Sequence, residues 1–168
     1  MKVLLLGGNE RSGKTDALDR LYSWLTQTQG FVYRDSFKHY GNNPKDKGYF
    51  INRSNKNINK IILNVAADNG GCRTNLEKFV KTLSLSKADK SDLLFISAIR
   101  NPTPNISLSK PRVDMLDFIK AEFGISENQC VEIPMLHLDA RLSYQEQWLK
   151  DKTDETVQNV LKSPAIGL

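Results

Sequence analysis

Four consecutive apolar residues, Val3-Leu4-Leu5-Leu6, run straight into Gly7-Gly8-Asn9-Glu10-Arg11-Ser12-Gly13-Lys14-Thr15. A strand that is apolar at every position must be covered on both faces, which is the setting of a parallel sheet between layers of helices. The stretch Gly8 to Thr15 then fits GxxxxGK[ST] at each fixed position, a spacing that has meaning only between a strand and a helix. A helix does follow. From Gly13 to about Gln27, the residues Ala17, Leu18, Leu21, Trp24 and Leu25 fall on one face. The alternative, a glycine-containing turn that matches by chance, has to explain both flanks as well.

Each residue type in this stretch has a physical reason. Gly8 and Gly13 let the backbone curl so that successive N–H groups converge on an anion. The helix N-terminus behind them adds partial positive charge. Lys14 is placed to reach β- and γ-phosphates, and the Thr15 hydroxyl to ligate Mg²⁺. Asn9, Glu10, Arg11 and Ser12 complete the loop, so Gly8 through Thr15 is the expected nucleotide-binding segment. Such a loop also needs a carboxylate for the metal at the end of a neighbouring parallel strand. Asp68 is the candidate, after the apolar run Lys60–Ala67. Asn69-Gly70-Gly71 behind it is a turn that could sense a γ-phosphate; the simpler role for Asp68 is capping a helix that starts near Arg73. Asp35, in Arg34-Asp35-Ser36-Phe37, could orient a water or accept a proton from a hydroxyl, or be a plain surface residue.

The rest of the chain repeats the strand–helix alternation. Strands are predicted at Lys2–Gly7, Phe31–Phe37, Lys60–Ala67, Asp92–Ile99 and Gln129–Leu138. Further helices are predicted through Leu76, Phe79, Val80 and Leu83, from Pro111 to about Phe123, and from Leu142 to about Leu161. The last carries Tyr144, Trp148, Leu149, Val157, Val160 and Leu161. Residues 38 to 59 read as a long loop with room for a short strand at Tyr49-Phe50-Ile51. This alternation predicts an α/β domain with a mainly parallel sheet flanked by helices. With 168 residues, no repeat and no linker, one domain over 1–168 is expected.

Composition narrows the partners. No stretch approaches the 18 apolar residues of a membrane helix, and the N-terminus lacks a signal-peptide core, so the chain is expected to begin at Met1 and stay in the cytoplasm. Cys72 and Cys130 form no CxxC pair and read as buried thiols. Net charge is +5. Residues 34 to 60 hold seven cations (Arg34, Lys38, Lys45, Lys47, Arg53, Lys56, Lys60) against Asp35 and Asp46, the same net +5. That block either binds DNA non-specifically or is a solvated loop. Ser86-Lys87-Ala88-Asp89 is similar to a guanine-reading NKxD but precedes a strand instead of following one. His39 and His137 lack metal-ligand spacing. Arg100 stands just past a strand, where it could meet a phosphate, a base or only solvent.

The phosphate loop, NVAADNGG and the later EIPMLHLDARLSYQEQWL together resemble the ParA/MinD-like class of P-loop ATPases. The resemblance implies a three-layer P-loop NTPase fold, Mg²⁺ and ATP as cofactors, and a homodimeric switch ATPase in plasmid or mobile-element maintenance or transfer. Its switch would be Asn69, Gly70 and Gly71, with Lys14, Asp35 and Asp68 as catalytic residues. The chain departs from that class where its loop opens with a lysine and two glycines, since Asn9, Glu10 and Arg11 stand there. In the class that lysine crosses the dimer interface, so the departure bears on the expected homodimer. A second resemblance, carried by Ser-Gly-Lys-Thr and Arg34-Asp35-Ser36-Phe37-Lys38, is to uridine and nucleoside kinases. It implies γ-phosphate transfer to a small molecule with Asp35 as base. No motif separates ATP from GTP.

Overall fold

The apolar runs form the centre of the protein. A computed structural model describes residues 1–9, 12–36, 47–54, 57–65, 71–87, 89–101, 110–135 and 143–168. Strands β1 (Lys2–Gly8), β2 (Val32–Ser36), β3 (Lys47–Ile51), β4 (Lys60–Asn64), β5 (Leu93–Arg100) and β6 (Val131–Pro134) make one sheet of order β2-β3-β4-β5-β1-β6. β1 pairs in parallel with β5 and β6, and β4 with β5. β3 alone runs against its neighbours. Helices α1 (Lys14–Gln27), α2 (Gly71–Thr82), α3 (Lys110–Phe123) and α4 (Ser143–Lys162) cover the sheet. α1 packs against α4, and α2 against α3. Right-handed crossovers require that division: the chain leaves β1 in one direction across the sheet and leaves β4 and β5 in the other. The result is a three-layer α/β fold.

β1, β4 and β5 are buried along almost their whole length. Ala17, Leu18, Leu21 and Leu25 of α1 seat on them as the helical spacing predicts. Each such buried leucine contributes about 1.5–3 kcal/mol over an exposed one.

Three elements differ from the sequence reading. β3 contains the short strand expected at Tyr49-Phe50-Ile51, starts two residues earlier at Lys47, and is an interior strand that, among the described residues, alone joins β2 to the sheet. β6 spans four residues, not ten. A 3₁₀ turn at Glu127–Gln129, closed by a Ser126–Gln129 capping box, delays its start. At its other end the bonding to β1 closes with Met135 N–H donating to Gly7 O at 2.6 Å. Trp148, read as part of the apolar face of α4, is 60% exposed, while Val157 and Leu161 of that helix are buried. Cys130 is half-buried, and burial, then Glu127 and Glu132, push its thiol up to about 11, so it is unreactive at neutral pH. Cys72, His39 and His137 fall outside the described side chains.

The N-terminal edge of the sheet holds a charge cluster. Lys60 Nζ donates to both oxygens of Asp92 at 2.9 and 3.1 Å and lies 3.3 Å from Asp89 Oδ1. Asp89 in turn accepts from the Ser86 hydroxyl (2.6 Å) and amide (3.0 Å). Ser86 to Asp89 is therefore a self-bonded turn, not a base reader. Burial opposes the Lys60 charge, but bonding and attraction from Asp92 and Asp89 outweigh it and raise its pKa. The Ser86 hydroxyl, the Ser86 amide and then Lys60 lower that of Asp89. A raised lysine stabilises the fold below its unfolded value of about 10.4 and loses this as pH rises through the folded value. A lowered aspartate stabilises above about 3.9 and loses this as pH falls through its folded value. The cluster therefore works between those limits. Lys60→Met should melt earlier than the parent at neutral pH, and the gap should narrow as acid is added below about pH 4. Calorimetry across pH checks this; a gap indifferent to acid would assign the effect to alkyl packing.

Candidate functional site

β1 and β5 lie side by side and parallel, yet their following helices cover opposite faces of the sheet. Adjacent strands of that kind open a crevice beyond their carboxyl ends, where α/β sheets bind ligands. The ends here are Gly8 and Arg100, which are register partners. The loop of the sequence motif rises from this crevice.

The described part of the loop is tightly bound. Ser12 N–H donates to Asn9 O at 3.3 Å, and Ala17 N–H to Gly13 O at 2.9 Å. Gly13 is the N-cap of α1 with φ 75° and ψ 12°, a left-handed backbone that costs an L-residue roughly 1–2 kcal/mol. Having no side chain, Gly13 caps none of the first-turn amides, which face the loop with the positive end of the helix dipole. Lys14 is only 4% exposed. Its ammonium donates back into the loop, to Gly8 O (2.8 Å), Asn9 O (2.6 Å) and Ser12 Oγ (3.2 Å). A buried lysine needs such partners. Here the motif itself supplies them, so the cation is held at the centre of a ring of loop backbone. Thr15, the next residue, is exposed in the first turn of α1. Glu10 and Arg11 lie outside the described residues.

The loop entry is clamped from both sides. Asn101 N–H donates to Gly8 O at 3.2 Å, and Met135 N–H to Gly7 O at 2.6 Å. Arg100 is half-buried. Strand alternation puts Arg100 on the face of Gly8 and Leu6, the α1 face, and Asn101 on the opposite one. Asn101 does meet Arg112 of α3 there.

Two expected site carboxylates belong to segments whose strands do not neighbour β1. Asp68 was expected at the end of a strand neighbouring β1, but β5 lies between β4 and β1. Two spacings of about 4.8 Å therefore separate the Asp68 strand from the loop strand. Asp68, Asn69 and Gly70, and the side chains from Gly71 to Cys72, lie outside the described residues. Asp35 belongs to β2, at the sheet edge, where its backbone pairs with Tyr49. Four spacings of about 4.8 Å, about 19 Å in all, part β2 from β1. The Asp35 side chain lies outside the described residues, so its role as water-orienting group or base stays an expectation. In the basic block of residues 34 to 60, Arg34 and Arg53 are exposed, Lys60 is engaged with Asp92 and Asp89 at the opposite edge of the sheet, and Lys38, Lys45, Lys56 and the Lys47 side chain lie outside the described residues.

The sequence reading passed over the pair Asn64 and Ser97 near the crevice, and it weighed Arg112 only as a lid arginine of the kinase reading, without its partners. Asn64 and Ser97, both fully buried, join β4 to β5 through Asn64 Nδ2 and Ser97 Oγ at 2.9 Å. Arg112 is 8% exposed and ties α3 to Glu127 and Glu132. A polar residue inside an otherwise apolar run, as in KIILN and LLFISAI, was the signal available for the first pair. The second had none, because its partners are remote in sequence.

No protein-family model and no curated protein sequence matches the chain. A solved structure entitled "Crystal structure of APE1195" aligns with 96% of this chain and 75% of its own, at 16% identity and a TM-score of 0.37. Among the described residues, no helix is long and apolar enough to cross a membrane.

Proposed function

We propose that the chain is a P-loop nucleotide-binding protein that hydrolyses a nucleoside triphosphate, ATP in the first instance. The observation that carries this reading is the Lys14 ammonium, buried and ringed by Gly8 O, Asn9 O and Ser12 Oγ at the N-terminus of α1. A cation so held, beside uncapped helix amides at a crevice between β1 and β5, suits a polyphosphate and little else. On binding, Lys14 turns from the loop carbonyls to the β- and γ-phosphate oxygens. The loop N–H groups take the remaining charge, and Arg100 approaches from the end of β5. Catalysis of this kind is positioning and electrostatics, with little covalent work for the protein.

Mg²⁺ fits the donor set in part. Thr15 offers an exposed hydroxyl next to Lys14, a hard oxygen ligand of the type Mg²⁺ takes. Asp68 would complete the set, and with β5 interposed a link through water suits it better than direct ligation. Bound there, Mg²⁺ would offset charge on the phosphate oxygens.

The ParA/MinD-like reading, with its plasmid or mobile-element role, its dimer and its Asn69–Gly71 switch, rests on sequence resemblance. β5 lengthens the path from such a switch to the nucleotide. A nucleoside-kinase reading has its base candidate, Asp35, on β2, four strand spacings from β1. DNA binding through residues 34 to 60 stays a proposal with one fewer cation.

The fate of γ-labelled ATP tests the function. Purified protein with Mg²⁺ is assayed with and without duplex DNA and a pool of nucleosides. Release of free phosphate supports hydrolysis, and label on a nucleoside would replace it by a kinase. Neither product, with no Lys14-dependent ATP binding, would remove the phosphate-loop reading. In the same assay Arg100→Ala should lower turnover about tenfold or more while changing ATP affinity less, as for a group that meets charge developing in the transition state.

A further inference from the structure

The ionic cluster beneath the loop reaches the loop itself. Arg112 Nη2 donates to Glu132 Oε2 at 2.9 Å and Glu127 Oε1 at 2.8 Å; Nη1 donates to Glu132 Oε1 at 3.2 Å and Asn101 Oδ1 at 3.4 Å. The Glu132 contact is a two-pronged fork, which fixes the carboxylate in orientation as well as position. That carboxylate rests on Gly7. A Cβ at residue 7 would overlap Glu132 Oε1 and stand 2.8 Å from Asn101 Oδ1. Glycine at 7 is thus required by close approach, and the two groups that approach are those Arg112 holds. Asn101 also gives its N–H to Gly8 O, the carbonyl that receives the Lys14 ammonium. The path Glu132–Arg112–Asn101–Gly8–Lys14 is unbroken.

We propose that Arg112 is a positioning residue for the phosphate loop: by fixing Glu132 and Asn101 against Gly7, it sets the Gly8 carbonyl and with it the seat of Lys14. Its charge is directed into α3, β6 and the loop entry. The proposal deepens the phosphate-loop reading and rests on it for the nucleotide, but its effect on loop order does not need a nucleotide. A group whose only work was to join α3 to β6 would leave the loop amides alone.

The test is hydrogen exchange on Arg112→Gln and Arg112→Lys, with fluorescent N-methylanthraniloyl-ATP and Mg²⁺ as the binding probe. In Arg112→Gln, amides of the peptide over residues 7–14 should exchange about tenfold faster, while β4 and the middle of β5 keep the parent rate. Affinity for the probe should fall about tenfold, by analogy with lost supporting shells. Arg112→Lys keeps charge but loses the fork, and should fall between. Should Arg112→Gln not fold, Asn101→Ala, which leaves the Arg112–Glu132 pair intact, should show the same local loosening. Parent-like loop exchange in a folded variant overturns the proposal, whatever happens to stability. Loosened loop amides in a protein whose parent and Lys14→Ala forms both ignore the probe would uphold the positioning and overturn only the nucleotide.

Discussion

Lys14→Ala should abolish nucleotide binding or turnover, lowering ATP turnover by at least about a hundredfold, since it removes a buried cation that the proposed function sets against the phosphates. The loss has two parts. The ammonium no longer meets the phosphates, and the carbonyls of Gly8 and Asn9, which it now bonds at 2.8 and 2.6 Å, keep only the Asn101 and Ser12 amides as donors. Those carbonyls repel phosphate unless a cation lies between. Lys14→Arg should not rescue. A planar guanidinium cannot offer the compact trio of donors that Gly8 O, Asn9 O and Ser12 Oγ receive. Isothermal titration with Mg-ATP, together with phosphate release, checks both variants. Thermal melting without nucleotide supplies the control, because a folded Lys14→Ala with parent-like turnover would end the phosphate-loop assignment.

The loop was legible because its chemistry is local. A strand, a glycine turn and an amphipathic helix lie within 27 residues, and every contact of Lys14 cited above is within six positions. The helical spacing of Leu18, Leu21 and Leu25 and the unbroken run of β5 were read for the same reason. What the sequence left open depends on strand order. Asp35 lies near the end of β2 and Asp68 comes after the β4 run, but whether a strand stands beside β1 or several places away is decided by pairings between distant segments. Arg112 shows the same limit on the side-chain level. Its partners Glu127 and Glu132 come 15 and 20 residues later, on a turn and a strand that only the fold brings to α3. β6 was overrun because VEIPMLHL stays largely apolar past Pro134, and periodicity alone gave no reason to stop there.

Phe50→Ala should be the most damaging single truncation in the β2–β4 region, costing about 3–5 kcal/mol. Phe50 is fully buried. Its ring meets Tyr22 of α1 edge-on at 5.4 Å and Tyr33 of β2 at 5.5 Å, so one side chain joins a helix and two strands. Such aromatic pairs add about 0.5–1.5 kcal/mol beyond the area they bury. The position matters as much as the ring. β3 pairs with β2 on one side and β4 on the other, and among the described residues β2 has no other strand neighbour. Loosening β3 therefore loosens the whole β2–β3 edge. Against a total stability of about 5–15 kcal/mol the loss is large, and for a chain of this size the melting point should fall on the order of 10 °C. Val32→Ala, on the same edge but 54% exposed, is the matched control and should lie within about 0.5 kcal/mol of the parent. Were residues 38 to 59 only a long loop, as their Asn, Gly and Lys content suggests, the two variants would melt together. A Phe50→Ala protein that melts with Val32→Ala would take β3 out of the sheet and move β2 away from it.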